Sequence, residues 1–127
     1  MAAVSYMTVG SNNLERARAF YDELLGSIGM RPVFEHPSGG RLYSGKGTGM
    51  FGVLGPYDGQ PASVGNGTMG GFRFDTAEEM AAFHAKALSL GGSNEGDPGP
   101  RTPTAHFAYF RDPDGNKLCG YFFGPAA

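Results

Sequence analysis

The sequence predicts an α+β fold in which one βαβββ module is given twice. Two observations carry this. A shift of 63 residues lays Tyr6 on Met69, Asn12 on Asp75, Phe20 on Phe83, Tyr21 on His84, Leu25 on Leu88 and Gly29 on Gly92. Strand start, helix cap, helix core and helix stop coincide, the mark of a repeated supersecondary unit. The chain also closes on YFRDPDGNKLCGYFF, residues 109–123, where aromatic-rich flanks meet a DPDG turn. Pro at the second turn position and Gly at the fourth are type I turn chemistry.

The elements follow in order. Residues 2–10 read as a strand that Ser11-Asn12-Asn13 stops. Asn12 with Glu15 fits a helix N-cap and its acid three residues on. Leu14, Ala17, Tyr21, Leu24, Leu25 and Ile28 then recur at three- and four-residue steps, one apolar stripe on a helix that Gly29 ends. Strands are expected at Arg31–His36, Arg41–Ser44 and Met50–Leu54, divided by glycines. Residues 55–67 are turn formers without periodicity and read as a linker between a module at 1–55 and a second at 68–127. Residues 68–74 read as a strand. Asp75 opens a second helix, with Glu78 and Glu79 near its positive end and Met80, Phe83, His84, Ala87 and Leu88 on its core stripe. Residues 93–103, with three prolines and two glycines, read as a loop holding at most one short strand. Residues 104–111 and 116–123 form the closing hairpin.

Composition excludes several classes of function. The 127 residues carry 40 % hydrophobic and 17 % charged side chains, enough for a folded core of modest size. Ten basic and twelve acidic residues are mixed along the chain for a net charge of −2, so no basic stripe invites nucleic acid or a membrane surface. No apolar run is long enough to span a bilayer. One cysteine allows no internal disulfide and fits a reducing, cytoplasmic setting.

The strand at 4–10, Leu14-Glu15-Arg16-Ala17 with Phe20-Tyr21, Phe83-His84 with Ala87-Leu88 and Gly91-Gly92, and Asp112-Pro113-Asp114-Gly115-Asn116-Lys117 together resemble the vicinal oxygen chelate superfamily, also called the glyoxalase/bleomycin resistance/dioxygenase group. The resemblance covers nearly the whole chain. It implies two βαβββ modules whose curved mixed sheets form an open barrel, a homodimer, and an active site on the concave face with metal ligands on first and last strands.

Carried over position by position, the family's His, His and Glu ligands fall on Tyr6, Met69 and Cys119, and the extra Glu of some members falls at or beside Gly52. Thioether and neutral phenol are poor donors for Mn, Fe or Zn. The expectation is therefore a protein without the family's metal or another cofactor. His36, His84 and His106 show no short ligand spacing, and His84 lies on a helix core stripe. Strand alternation sends Tyr6, Thr8, Met69, Arg73, Phe107, Tyr109, Cys119 and Tyr121 to one lining, with Val4, Gly71 and Phe123. Met7, Val9, Phe72, Phe74, Leu118 and Phe122 go to the helix side. Such an aromatic, sulfur-rich lining suits a small amphipathic or anionic molecule, with Arg73 as a candidate anion clamp. Arg101, after Pro98-Gly99-Pro100, is read as an exposed loop charge in preference to one that closes the pocket from its loop, and Cys119 as a small buried residue rather than a nucleophile. The alternatives are a lyase, isomerase or dioxygenase acting through another site, and an interaction module with a filled barrel.

Overall fold

A computed structural model describes residues 1–125. The chain divides into two compact units, Met1–Val64 and Gly65–Ala127. Each is a four-stranded mixed sheet with one helix on one face, so both are βαβββ modules.

In the first unit β1 (Tyr6–Gly10) runs parallel to β4 (Met50–Leu54). The antiparallel strands β3 (Arg41–Ser44) and β2 (Arg31–Glu35) follow, for a sheet order β1-β4-β3-β2. β1 starts at Tyr6 rather than at residue 2 because its partner β4 starts opposite it, at Met50. Helix α1 (Leu14–Gly26) covers one face with Ala17, Phe20, Tyr21, Leu24 and Leu25 buried, as the periodicity predicts. Its cap is Asn13, one residue later than expected, and its side chain accepts from the Arg16 N–H at 3.1 Å. Asn12 instead binds the linker: its amide donates to Ala62 O at 2.9 Å and accepts from Ala62 N at 2.7 Å.

The second unit repeats the plan. β5 (Gly70–Arg73) is parallel to β8 (Lys117–Phe123), and β7 (Ala105–Arg111) and β6 (Ser93–Thr102) complete the order β5-β8-β7-β6. Helix α2 (Ala77–Ser89) is capped by Thr76, not Asp75. Thr76 and Glu79 form a reciprocal box: Thr76 Oγ1 accepts from Glu79 N and donates to Glu79 Oε1. Both caps move by one residue, so Asn13 and Thr76 keep the spacing of the repeat. The exits differ, because the left-handed glycine after α2 is Gly91, whereas after α1 it is Gly29.

The largest departure from the sequence expectation is β6, a ten-residue strand where a loop was expected. Its pairing with β7 shifts register at Asn94/Gly96, Gly96/Gly99 and Pro100/Thr102. β6 lies at the edge of its sheet, and an edge tolerates prolines that an interior strand would reject. The β7–β8 turn matches the expectation: Gly115 N donates to Asp112 O at 2.9 Å. Gly115 takes φ 94°, and Asp112 Oδ1 accepts from Asp114 N and Asn116 N.

Each core lies between helix and sheet. In the first unit Tyr21 meets Tyr43 and Phe51. In the second Phe83 meets Phe72, Phe74 and Phe110 with centroids 5.0–5.6 Å away, edge-on or tilted as aromatic quadrupoles prefer. No helix among the described residues is long and apolar enough to cross a membrane.

Candidate functional site

Directly opposed residues on neighbouring strands share a face. In the first unit two cross-strand rows, Tyr6–Met50–Ser44–Arg31 and Thr8–Gly52–Leu42–Phe34, therefore lie on one side of the sheet. That side is the one away from α1, because Tyr43 and Phe51 of the alternate row contact Tyr21. Tyr6 and Thr8 sit there as expected, and Tyr6 is 51 % exposed. Leu42, Met50 and Phe34 share the face and were not singled out in the sequence. Gly52 keeps the face flat, since a Cβ there would come 2.3 Å from Leu42 Cδ2.

In the second unit the rows are Gly71–Cys119–Tyr109–Gly96 and Arg73–Tyr121–Phe107–Gly99. They face away from α2, which packs on Phe72 and Phe110 of the alternate rows. Six of the eight expected residues thus belong to this unit: Met69, just before β5, and Arg73, Phe107, Tyr109, Cys119 and Tyr121. The register and ring contacts group the last five. The Phe107 ring is parallel to Tyr109 within 6° at 5.7 Å and to Tyr121 within 23° at 5.6 Å. Phe123 stands against Tyr121 and Phe107.

The neighbouring glycines decide how these rings lie. A Cβ on Gly96 would come 2.9 Å from Tyr109 Cδ2, and one on Gly71 would come 3.2 Å from Tyr121 Cε1. Each tyrosine therefore rests across the bare backbone of the next strand. Two cations flank Tyr109: Arg101 Cζ is 5.5 Å and Lys117 Nζ 5.2 Å from its centroid, within cation–π range. Arg101 is thus no detached loop charge. Its Nη1 and Nη2 donate to Gly99 O and Asp97 O, both at 2.9 Å, which fixes the guanidinium beside the ring. Lys117 was legible from alternation, having the parity of Cys119 and Tyr121. Arg101 was not, because residues 93–103 did not read as a strand.

A part-buried network supports this face from behind. His84 Nε2 lies 3.1 Å from both Asn94 Oδ1 and Tyr109 O. Both are acceptors, and Asn94 Oδ1 also receives the Gly96 N–H, so Nε2 carries the proton and donates. The network fixes the Asn94/Gly96 bulge on which Tyr109 lies. His84 is 3 % exposed, a packed and bonded side chain as its helix position suggests. His106 shares the helix-side row of Phe122 and faces away from the rings, as expected.

The residues that the family resemblance sets at metal positions, Tyr6, Met69 and Cys119, do not suit a hard divalent ion. Tyr6 offers a phenol and Met69 a thioether. Cys119 is 1 % exposed, and burial pushes its thiol up to about 11, so it holds its proton at neutral pH. Among the described residues no three His, Cys, Asp or Glu side chains come together in a metal-holding group. The same burial makes Cys119 a poor nucleophile.

Duplicated βαβββ modules, each with its helix on one face, define the glyoxalase class of fold. The comparisons agree. The family model of the glyoxalase/bleomycin resistance protein/dioxygenase superfamily matches residues 3–119, and the chain belongs to that superfamily. It is similar to a glyoxalase/bleomycin resistance protein from Albidiferax ferrireducens T118, with 42 % identity, a TM-score of 0.84 and coverage of 93 % of this chain and 96 % of that one. A glyoxalase/bleomycin resistance protein/dioxygenase family enzyme from Burkholderia phytofirmans PsJN shares the fold at 17 % identity and TM-score 0.76, covering 96 % of this chain and 99 % of that one. So does a lactoylglutathione lyase from Agrobacterium tumefaciens, at 20 % identity and TM-score 0.69, covering 96 % and 94 %. No curated protein matches the chain.

Proposed function

We propose that this chain binds a small amphipathic or anionic molecule without the family's metal, on the helix-free face of its second sheet. The observation that carries the reading is the pairing of a lost donor set with a gained lining. Tyr6, Met69 and Cys119 stand where metal ligands are expected, while Phe107, Tyr109 and Tyr121 form a continuous ring surface. Flat apolar area with a few fixed polar groups is how small-ligand sites combine affinity and orientation. Arg73, opposite Tyr121, belongs to the same surface as a charge at its margin. The family contains resistance proteins that act by sequestration, so the fold accommodates this role by analogy. A homodimer, which the family resemblance implies, belongs to the same reading and is checked by sedimentation velocity.

The test is calorimetric titration of metal-stripped protein with planar amphipathic compounds. Saturable binding that is unchanged by added Mn²⁺ or Zn²⁺ supports the reading. Metal-dependent turnover of a hemithioacetal or a catechol, abolished by changing Tyr6 or Cys119, would instead establish the lyase or dioxygenase alternative.

A further inference from the structure

We infer that the ligand of this face is a planar aromatic anion, a conjugated ring bearing a carboxylate or phosphate, with its ring on Phe107 and Tyr121 and its charge between Arg101 and Lys117. The inference deepens the binding reading above and rests on it.

Three features select this class. The first is flatness. Phe107, Tyr109 and Tyr121 are near parallel, and the two tyrosines rest across glycines, so together they make a floor of aromatic side chains. Stacking on such a floor favours planar conjugated molecules over saturated ones. The second is charge. Arg101 and Lys117 both stand at the Tyr109 end of the floor, and among the described residues neither forms a salt bridge. Of the two acids of β6, Glu95 is bound to Arg111, with Lys117 a weaker electrostatic neighbour, and Asp97 accepts from Asn94 Nδ2. Arg73 adds a third cation on the Tyr121 row. The face is therefore complementary to a negative group. The third is preorganisation. Two carbonyls of β6 hold the Arg101 guanidinium, so little further side-chain entropy is lost when an anion meets it. A flat floor with cations gathered at one end also fixes orientation, ring toward Phe107 and anion toward Tyr109.

The experiment titrates the full chain with 2-naphthoate, 2-naphthyl phosphate, 2-naphthamide and cyclohexanecarboxylate, by calorimetry and by amide chemical-shift mapping. A charge-assisted contact implies that at least one naphthyl anion binds roughly tenfold or more tighter than the neutral amide. Cyclohexanecarboxylate binds more weakly than naphthoate. The doubly substituted Arg101→Gln, Lys117→Met protein loses the preference for the anion while keeping the amide's affinity. Shifts cluster on β7 and β8. Whichever anion binds tighter identifies the charged group. Equal binding of amide and naphthoate on β7 and β8 overturns the ligand class and leaves the binding reading standing. An anion preference that survives the double substitution, or shifts that map elsewhere, also overturns the inference. Binding of every probe only when Mn²⁺ or Zn²⁺ is added overturns the metal-independent reading itself. Because both substituted side chains are at least partly exposed, thermal unfolding of the variant serves as the control that its fold is intact.

Discussion

The two modules share a plan and place most of their strand charges on opposite sides of it. In the first unit Glu35 and Arg41 face the helix, and Arg31 lies on the open side. Arg41 bonds Glu35 through Nε and Nη2 and reaches Asp22 of α1 at 2.7 Å, and the buried Tyr43 hydroxyl donates to Asp22 at 2.6 Å. These contacts raise the Arg41 pKa, and burial first, then the bond to Asp22, raises that of Tyr43. The network fastens helix to sheet. In the second unit the helix side is held by phenylalanines and the His84–Asn94 hydrogen bond, while Arg73, Arg101, Arg111 and Lys117 stand on the open side. A duplicated module can thus commit its polar side chains to internal docking in one copy and present them outward in the other. The helix-free face of the second copy is the better candidate for a site for that reason.

Substitutions can break or sharpen this contrast. The largest expected effect is Phe83→Ala, which removes the ring at the centre of the second core. It should cost about 3–5 kcal/mol in denaturant unfolding, and a loss below about 1 kcal/mol would show that apolar packing does not dominate this unit. Asp22→Asn should cost the first unit about 1–2 kcal/mol, a figure kept low because Asp22 is partly exposed and solvent screens the ion pair. If Tyr43→Phe in that background costs as much as it does alone, the hydroxyl and Asp22 are not coupled. His84→Ala removes the donor to Tyr109 O and to the exposed Asn94 Oδ1, at about 1 kcal/mol. It should also move the amide resonances of Gly96 and Tyr109, which a purely local cavity would leave in place.

Cys119 provides a pH test. Its folded pKa, about 11, lies above the ordinary thiol value of 9.0. The proton is therefore held more tightly in the folded state. Stability is full below about pH 9 and falls as the pH rises toward 11, by about 1 kcal/mol at pH 10. Cys119→Ala should flatten that part of the alkaline limb in chemical denaturation, and Tyr43 should account for loss at still higher pH. The smallest expected effect is that of Arg101→Gln with Lys117→Met on stability, within about 0.5 kcal/mol, as for surface positions. A larger loss would make these cations part of the fold rather than of the site.

Much of the fold was legible because its elements carry strong local signals. The stripe from Leu14 to Ile28, the stripe from Met80 to Leu88, the turn at Asp112–Gly115 and the internal repeat each pointed to what the structure contains. Period-two alternation also assigned Phe72, Leu118 and Phe122 correctly to the helix side. The cap positions slipped by one because Asn12 and Asn13 are equally able caps, and only the tertiary contact with Ala62 decides between them. β6 stayed hidden because Pro98, Pro100, Gly96 and Gly99 oppose strand propensity, and its pairing with β7 overrides them. That one omission also left Arg101 ranked as a loop charge, since a side chain has no assignable face until its strand is known. Lys117 carried its signal openly, in register with Cys119, as the cation four residues before Tyr121.

The burial of the single cysteine makes the molecule its own reporter. Cys119 Sγ lies beside Gly71 in the face that carries Tyr121, and it is shielded from solvent in the folded state. Reagents can reach it only when the second sheet opens locally, so its labelling rate in excess reagent measures that opening, residue-specifically and without isotope. A ligand seated on Tyr121 that binds only the closed sheet must slow the labelling in proportion to its occupancy, about a hundredfold at a concentration a hundred times its Kd. An unmodified chain can therefore be screened against compound collections by thiol chemistry alone.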